Sequence, residues 1–488
     1  MLEPARSQPA FASSAATTAP PQRRLSLLDS TCIIVGIIIG ASIYEKSPLV
    51  AEQASSAILG QVQKWAAAAG AAPFSTQTED HVRLLAIAGI WILGGCFALV
   101  GALCYAELGT AYPQHGGNYL FLARAFGKTV GLAFAWVEFW IIRPGNTGAI
   151  AYVFAHYAGK LVGVSDENHL AQMGLAAGAI TALSLANWLG LSAGKWTQNL
   201  LTGAKLLGLA VIVFTAFSLP SGETESTAPG YQLAPGSGSL GLALIFVMFA
   251  YGGWSDMSYV AAEVRDPARN IFRALLLGTL AVTGIYVTLN IAFALGLGLP
   301  RFLASSAIAA DVLSLRFGPG GAGAISLLIC ISCLGAINGM IFTGSRLSYS
   351  LGKEDPLFAW LGRWNEARGV PTRSLVVQAL VTLGLVIGFG LRPQGFDRLV
   401  IFTAPFFWGA FVLIGIAVVT LRDHDHEYPR VYRVPLYPLP PLIFSLSSLY
   451  MVYASLDWAI KNLSWEASWA ALVLLAGTIL IHFRNRAR

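Results

Sequence analysis

Charge is what this chain lacks. Only 11% of its 488 residues are Asp, Glu, Lys or Arg, whereas soluble globular domains carry about 25%, and 55% are hydrophobic. That shortage excludes a water-soluble globular protein. The apolar residues form continuous runs and not ten-residue segments of alternating polarity, which excludes an outer-membrane type of barrel. Cysteine is scarce as well: Cys32, Cys96, Cys104, Cys330 and Cys333 all fall inside apolar runs without metal-site or redox spacing, and they read as small packing residues. His81, His115 and His156 have no partner pattern that would make a metal site. No nucleophile–base pattern, phosphate loop or cofactor motif occurs, so no enzyme chemistry, no cofactor and no metal is expected.

What the chain does have is hydrophobic runs of about 20 residues, the length an α-helix needs to cross about 30 Å of hydrocarbon. Twelve such runs lie near residues 25–49, 84–112, 130–161, 170–189, 200–219, 240–260, 271–299, 321–351, 374–391, 398–421, 438–456 and 465–483. The fold class is therefore an all-α membrane protein with twelve transmembrane helices. Lys and Arg crowd both termini and every second connection, as in Arg124 with Lys128, Arg265 with Arg269 and Arg273, and Arg422 with Arg430 and Arg433. Positive side chains near helix ends stay on the cytoplasmic side, which puts both termini there. Topology accounts for the net charge of +6, and nucleic acid is not an expected partner.

Residues 1–24 read as a disordered cytoplasmic tail, rich in Ala, Ser, Thr and Pro, followed by an uncleaved first span. Residues 25–421 hold ten spans, 25–219 and 240–421, and residues 438–488 add two more and a short cytoplasmic end. The stretch 50–83 reads as an unusually long outer loop, in which "AEQASSAILGQVQKWAAAAGAA" has the composition of an amphipathic surface helix.

Two spans have unusual centres: "GIIIGAS", Gly36 to Ser42, in the first, and "FAYGGWSD", Phe249 to Asp256, in the sixth. They are five spans apart, an odd number, so they cross in opposite directions and occupy equivalent places in two inverted five-helix repeats. Paired glycine-interrupted spans point to a transporter's midplane binding site, whereas a lone GxxxG such as Gly36 to Gly40 points only to close helix packing. Unwound backbone in hydrocarbon is tolerated only where it faces protein, water or a ligand. A half-helix beginning at the break offers N–H groups to a carboxylate, and one ending there offers carbonyls to an ammonium. An α-amino acid carries both.

These stretches resemble the amino acid–polyamine–organocation superfamily, and within it the L-type amino acid transporters. "GIIIGASIY", "FAYGGWSDMSYVAAEVRDPARNIFRA" and "SCLGAINGMIFTGSRLSYSLGKEDPLF" carry the likeness, with "IIRPG" and "CYAELGT". The resemblance implies a LeuT-like 5+5 inverted repeat with broken helices 1 and 6. It implies a substrate carboxylate on the N–H groups of Gly40, Ala41 and Ser42 and an ammonium on the carbonyls of Ile38, Phe249 and Gly252. Ile39 and Ala250 lie within the same breaks, Trp254 and Ser255 border the side-chain pocket, and Phe249 is the gate that closes from outside. Departures are the Ala41-Ser42 order, Ser255 in place of Asn, and "YEKSP" at the end of the first span.

Lys205 lies ten residues past Lys195, about 15 Å into the membrane at 1.5 Å per residue, and an ionisable residue at that depth usually serves function. In the resemblance it takes the place of a sodium ion, either as a fixed ammonium or as a proton carrier. Glu138 and Arg143 read as a structural pair or kink contact; Glu107, Glu263 and Arg346 read equally as gate charges or topological anchors. The expected function is sodium-independent, alternating-access transport of L-amino acids, as proton symporter or exchanger, in a plasma or inner membrane. The pocket residues named are aromatic or small, which leans to neutral substrates; a cationic amino acid or polyamine exchanger would need an acidic group there, and a non-transporting amino acid sensor is the alternative of another class. Vertebrate relatives join a heavy chain through an external Cys after the third span. "GKLVGVSDENHL" has none, so no disulfide-linked heavy chain is expected.

Overall fold

All named elements among the described residues are helical, and two isolated β-bridges, Leu25 with Val264 and Asn365 with Val370, are the only extended pairings there. The structure is a computed structural model that describes residues 23–165, 167–219, 236, 238–305, 307–318, 320–391, 395–425, 428–461, 469–470 and 472–479. The expected tail at 1–22, the connection at 220–235 and much of the last expected span lie outside the described residues.

The first crossing is built in three pieces: α1 (Leu27–Ile38), α2 (Ser42–Glu45) and α3 (Ser47–Ala68). Ser26 opens α1 through a capping box with Asp29, and the helix stops where Ile39 turns to ψ 88°. Then follow α4 (Thr76–Ala111), α5 (Asn118–Phe126), α6 (Lys128–Val137), a π-helical turn (Glu138–Ile142), α7 (Arg143–Val162), α8 (His169–Trp188) and α9 (Leu191–Phe217). The sixth crossing is broken in the same way as the first. It consists of α10 (Leu240–Ala250), a turn at 251–253, and a 3₁₀ segment (Trp254–Glu263). The chain continues as α11 (Pro267–Leu297), α12 (Leu299–Ala304), α13 (Ile308–Phe317), α14 (Gly320–Glu354), a short 3₁₀ turn (Pro356–Phe358), α15 (Thr372–Gly390), α16 (Gly395–His424) and α17 (Leu439–Lys461).

Nine helical segments among the described residues are long and apolar enough to cross a bilayer. Their outward faces carry large apolar side chains such as Leu207, Phe214, Leu380 and Tyr453, as lipid-facing surfaces require. Extensive packing joins α4 to α11, α7 to α14 and α8 to α15. Each partner comes five crossings after the other.

One expectation changes. Residues 47–68 are helical, as the composition predicts, but they do not form a loose outer loop: Ser55, Ser56, Leu59 and Gly60 are buried, and α3 packs on α4 and α10. The 50–83 stretch is thus an extension of the first crossing and the start of the next, with a short turn between them.

Candidate functional site

The two breaks face each other across a cavity near the middle of the bundle. Ile37, Ile38, Gly40 and Ser42 line it from the first crossing, and Phe249, Gly252, Gly253, Ser255, Asp256 and Tyr259 from the sixth. Gly253 has φ +120°, a region L side chains rarely adopt, and a Cβ there would stand 2.6 Å from Ile37 Cγ2. Glycine is required at that point because the two breaks touch. The Tyr286 hydroxyl lies 3.2 Å from the Ile38 carbonyl oxygen and 3.1 Å from that of Ala250. One phenol therefore bridges the carbonyl ends of α1 and α10.

A helix leaves its first N–H groups without internal partners, and here those groups open at the break. The Gly40 N–H is spent on the Ile38 carbonyl at 2.9 Å, whereas the N–H groups of Ala41, Ser42 and Ile43 donate to nothing among the described residues. The free set is displaced by one residue from the expected Gly40, Ala41 and Ser42. Of the carbonyls expected to face an ammonium, Ile38 accepts from Gly40, Phe249 accepts from the Gly252 N–H at 3.2 Å, and Gly252 takes no backbone hydrogen bond among the described residues. The Phe249 and Gly252 oxygens each keep at least one lone pair, whereas the Ile38 oxygen also lies within reach of the Tyr286 hydroxyl.

Six of the expected binding residues, Ile38, Gly40, Ser42, Phe249, Gly252 and Ser255, line the cavity. Trp254 does not. Its ring is buried behind, stacked on Phe411 at 5.1 Å and set edge-on to Tyr105 at 5.2 Å, so it supports a wall ring and does not form the wall. Ile39, Ala41 and Ala250 contribute backbone only.

The Ile39 carbonyl belongs to Lys205. From α9, Lys205 Nζ donates to the carbonyls of Gly36 at 2.8 Å, Ile39 at 2.6 Å and Ser332 at 3.0 Å. An ammonium has three N–H donors, and all three are used. The side chain is fully buried and does not reach the cavity lining. The same face of α9 carries a ladder toward α1: Gln198 Nε2 and Thr202 Oγ1 donate to the Cys32 carbonyl at 3.4 and 3.1 Å, and Asn199 Nδ2 donates to Asp29 Oδ1 at 2.7 Å. Gly36 lets α9 this close, since a Cβ there would lie 2.1 Å from Gln198 Nε2.

Charge enters the cavity from the opposite wall, which corrects the expectation of a pocket without acidic groups. Glu138, Arg143 and Asp256 all line it. In a π-helix the backbone bond runs from i to i+5, so the turn at Glu138–Ile142 stacks Glu138 beneath Arg143, and Arg143 Nη2 donates to Glu138 Oε1 at 2.9 Å. The other arm of the guanidinium binds Asp256 Oδ1, which also accepts from Thr343 Oγ1 at 2.7 Å. Asp256 Oδ2 has no hydrogen-bond partner among the described residues. The guanidinium carbon sits 4.9 Å from the centre of the Tyr259 ring. Ile142, Ala149, Ile150, Met340, Val400, Ala404 and Phe407 give the cavity most of its apolar lining, with Asn118, Asn146 and Thr403 as neutral polar groups among them.

The remaining expected charges close one end of the bundle. Arg346 Nε and Nη2 grip the two carboxylate oxygens of Glu263 at 2.7 and 3.1 Å, both side chains fully buried. His115 stacks on Trp364 at 5.5 Å, with Nδ1 3.9 Å from Glu263. Glu107 binds Arg422, Arg430 Nη1 at 2.9 Å and the Val434 N–H at 2.7 Å. Beside them Leu25 exchanges backbone hydrogen bonds with Glu263 and Arg265 at 2.9 and 2.8 Å, latching the start of α1 to the end of the sixth crossing.

Sequence reasoning passed over Asp256, Tyr259, Thr343, Tyr286 and Ser332. Asp256 stood inside a quoted motif, but its direction depended on the 3₁₀ winding after the break.

Compared with known proteins, the sequence matches the amino acid permease family over residues 25–480. It is 29% identical over 467 residues to b(0,+)-type amino acid transporter 1 of Mus musculus, covering 94% of this chain and 87% of that protein, and 28% identical over 466 residues to the Homo sapiens protein of the same name, covering 95% and 88%. With Large neutral amino acids transporter small subunit 2 of Mus musculus it shares 29% identity over 448 residues, 89% of this chain and 76% of that protein.

Proposed function

From the premise that this chain belongs to the amino acid permease family, we propose that it is a sodium-independent, alternating-access transporter of neutral L-amino acids, built as a LeuT-like repeat of five plus five crossings with two more at the C-terminus. It is an integral membrane amino acid transporter, multi-pass and helical. The observation that carries the finer reading is the pair of facing helix breaks. Unpaired N–H groups at Ala41, Ser42 and Ile43 receive the carboxylate, and the carbonyls of Ile38, Phe249 and Gly252 receive the ammonium. Phe249 closes the outer side.

Support for the repeat comes from the packing of α4 on α11, α7 on α14 and α8 on α15, the pairing expected across a two-fold axis. Support for sodium independence is Lys205, whose ammonium already fills a nest of three carbonyls between α1 and α14. Support for a neutral side chain comes from the apolar lining residues Ile142, Ala149, Ile150, Met340, Val400, Ala404 and Phe407, with Glu138 and Asp256 already engaged by Arg143. The positive-inside pattern supports a cytoplasmic position for both termini, the Leu25 latch and the Glu263–Arg346 pair, in a plasma or inner membrane. One relative is named a small subunit; this chain has no cysteine between α7 and α8 for a disulfide-linked partner at that loop.

The test is uptake of radiolabelled L-leucine, L-alanine and L-lysine into proteoliposomes of the purified protein, with and without sodium and with and without internal amino acid. Uptake of L-leucine that is unchanged by replacing sodium with choline is expected. Absence of flux for all three, with binding retained, replaces the transporter by a sensor.

A further inference from the structure

We infer that Asp256 is a proton-coupling site: it takes up a proton when the amino acid binds and releases it on the other side of the membrane. This rests on the transport reading above and adds the coupling ion and its position. The cluster beside the cavity holds two carboxylates, Glu138 and Asp256, and one guanidinium, Arg143. One negative charge is therefore uncompensated within the hydrocarbon, and an isolated buried charge is costly enough to be neutralised by whatever cation can reach it.

Three cations are candidates. Lys205 is ruled out by position, since its three donors are committed to carbonyls and it is absent from the cavity wall. The side chain of a neutral amino acid carries no charge to supply, and the lining beyond the cluster, Ile142, Ile150, Met340, Val400 and Phe407 with the neutral Asn118, Asn146 and Thr403, holds no further cation. A proton remains. Asp256 Oδ2 is the atom placed to take it, because Oδ1 is held by Arg143 and Thr343 while Oδ2 has no partner among the described residues. In the step itself one O–H bond forms at Oδ2, with the proton coming from water on the open side; the same bond breaks to water on the far side.

The charged and titratable groups around Asp256 are set by the elements packed on the 3₁₀ segment. Arg143 and Glu138 face it from the start of α7 and the π turn, and Tyr105 from α4. Tyr259 lies on the same segment, as does Glu263, which is closed by Arg346 of α14 with His115 beside it. From α1 only Ile37 and Ile38 reach the cavity, and Arg269 and Arg273 of α11 are exposed.

The experiment measures protons taken up on binding of L-leucine to purified protein in weakly buffered solution with a pH indicator, beside sodium-free counterflow of L-leucine and L-lysine in proteoliposomes. Wild type is expected to take up one proton per L-leucine bound. Asp256→Asn is expected to take up none and to show a flat pH dependence of binding, while Asp256→Glu restores both; monodisperse elution checks that each variant is folded. If counterflow proceeds but wild type takes up no proton, or Asp256→Asn takes up as many as wild type, the coupling site is wrong and the transport reading stands. L-lysine binding that needs Asp256 without proton movement also overturns it, since the substrate then supplies the charge. Absence of counterflow and binding for both amino acids sinks the transport reading, and this inference with it.

Discussion

At the scale of single residues the site depends on two positions that tolerate no replacement for different reasons. Gly253 combines φ +120° with contact to Ile37, so a methyl group meets both backbone strain and a steric clash. Strain of this kind costs about 1–3 kcal/mol, and Gly253→Ala is expected to reduce L-leucine uptake by about tenfold or more while the protein still elutes as a folded species. Wild-type uptake in that variant would mean that the sixth crossing is not read through its turn. Lys205 is different because its role is satisfaction of carbonyls. Lys205→Ala strips a donor from each of three buried oxygens; that of Ile39 keeps Ser332 Oγ at 2.9 Å, and an acceptor left unpaired costs about 1–3 kcal/mol. A lowered melting temperature together with lost uptake is expected, and sodium should not rescue it. Rescue by sodium would show that the nest can still accept an ion.

At the scale of elements, the buried ion pairs tie helices that are distant in sequence. Glu107 of α4 neutralises Arg422 and Arg430, which flank the end of α16, and also accepts the Val434 N–H. Removing one member of a buried pair costs about 3–5 kcal/mol, so Glu107→Gln should lower the melting temperature measured in detergent while leaving L-leucine affinity unchanged. The sequence made the helical fold legible because burial in lipid demands long apolar runs, and it marked both breaks because Gly36, Gly40, Gly252 and Gly253 interrupt them. It hid the acidic wall for a physical reason. The segment Trp254–Glu263 winds with three residues per turn, and the turn before Arg143 winds with i to i+5 bonds. Helical periodicity of 3.6 therefore misdirects Asp256, Tyr259 and Trp254. Composition made the α3 helix legible as an amphipathic surface helix, but not the burial of its Ser55 and Ser56.

At the scale of the whole molecule, alternating access requires one end of the bundle to open while the other closes, and this structure is fastened at the end assigned to the cytoplasm. Three independent ties hold α1 there. Leu25 pairs with the backbone around Val264; Asp29 meets Asn199 at 2.7 Å and Lys195 at 3.3 Å; and the Cys32 carbonyl faces Gln198 and Thr202. The ladder stands on one face of α9, so α1 can leave it as a unit, rung after rung. Asp29 is the first rung of this ladder, and asparagine keeps its size and an acceptor oxygen while removing the charge that meets Lys195, so its replacement should bias the equilibrium without unfolding the bundle. Asp29→Asn is therefore expected to raise the population open to the cytoplasm. With the native cysteines replaced and Ile34→Cys introduced on the buried side of α1, labelling by a membrane-impermeant maleimide in inside-out vesicles should speed up several-fold in Asp29→Asn, and excess L-leucine should change that rate in both backgrounds. Equal labelling rates with and without the Asp29 carboxylate would mean that α1 does not move away from α9 during the cycle, and that the opening element must be sought elsewhere in the bundle.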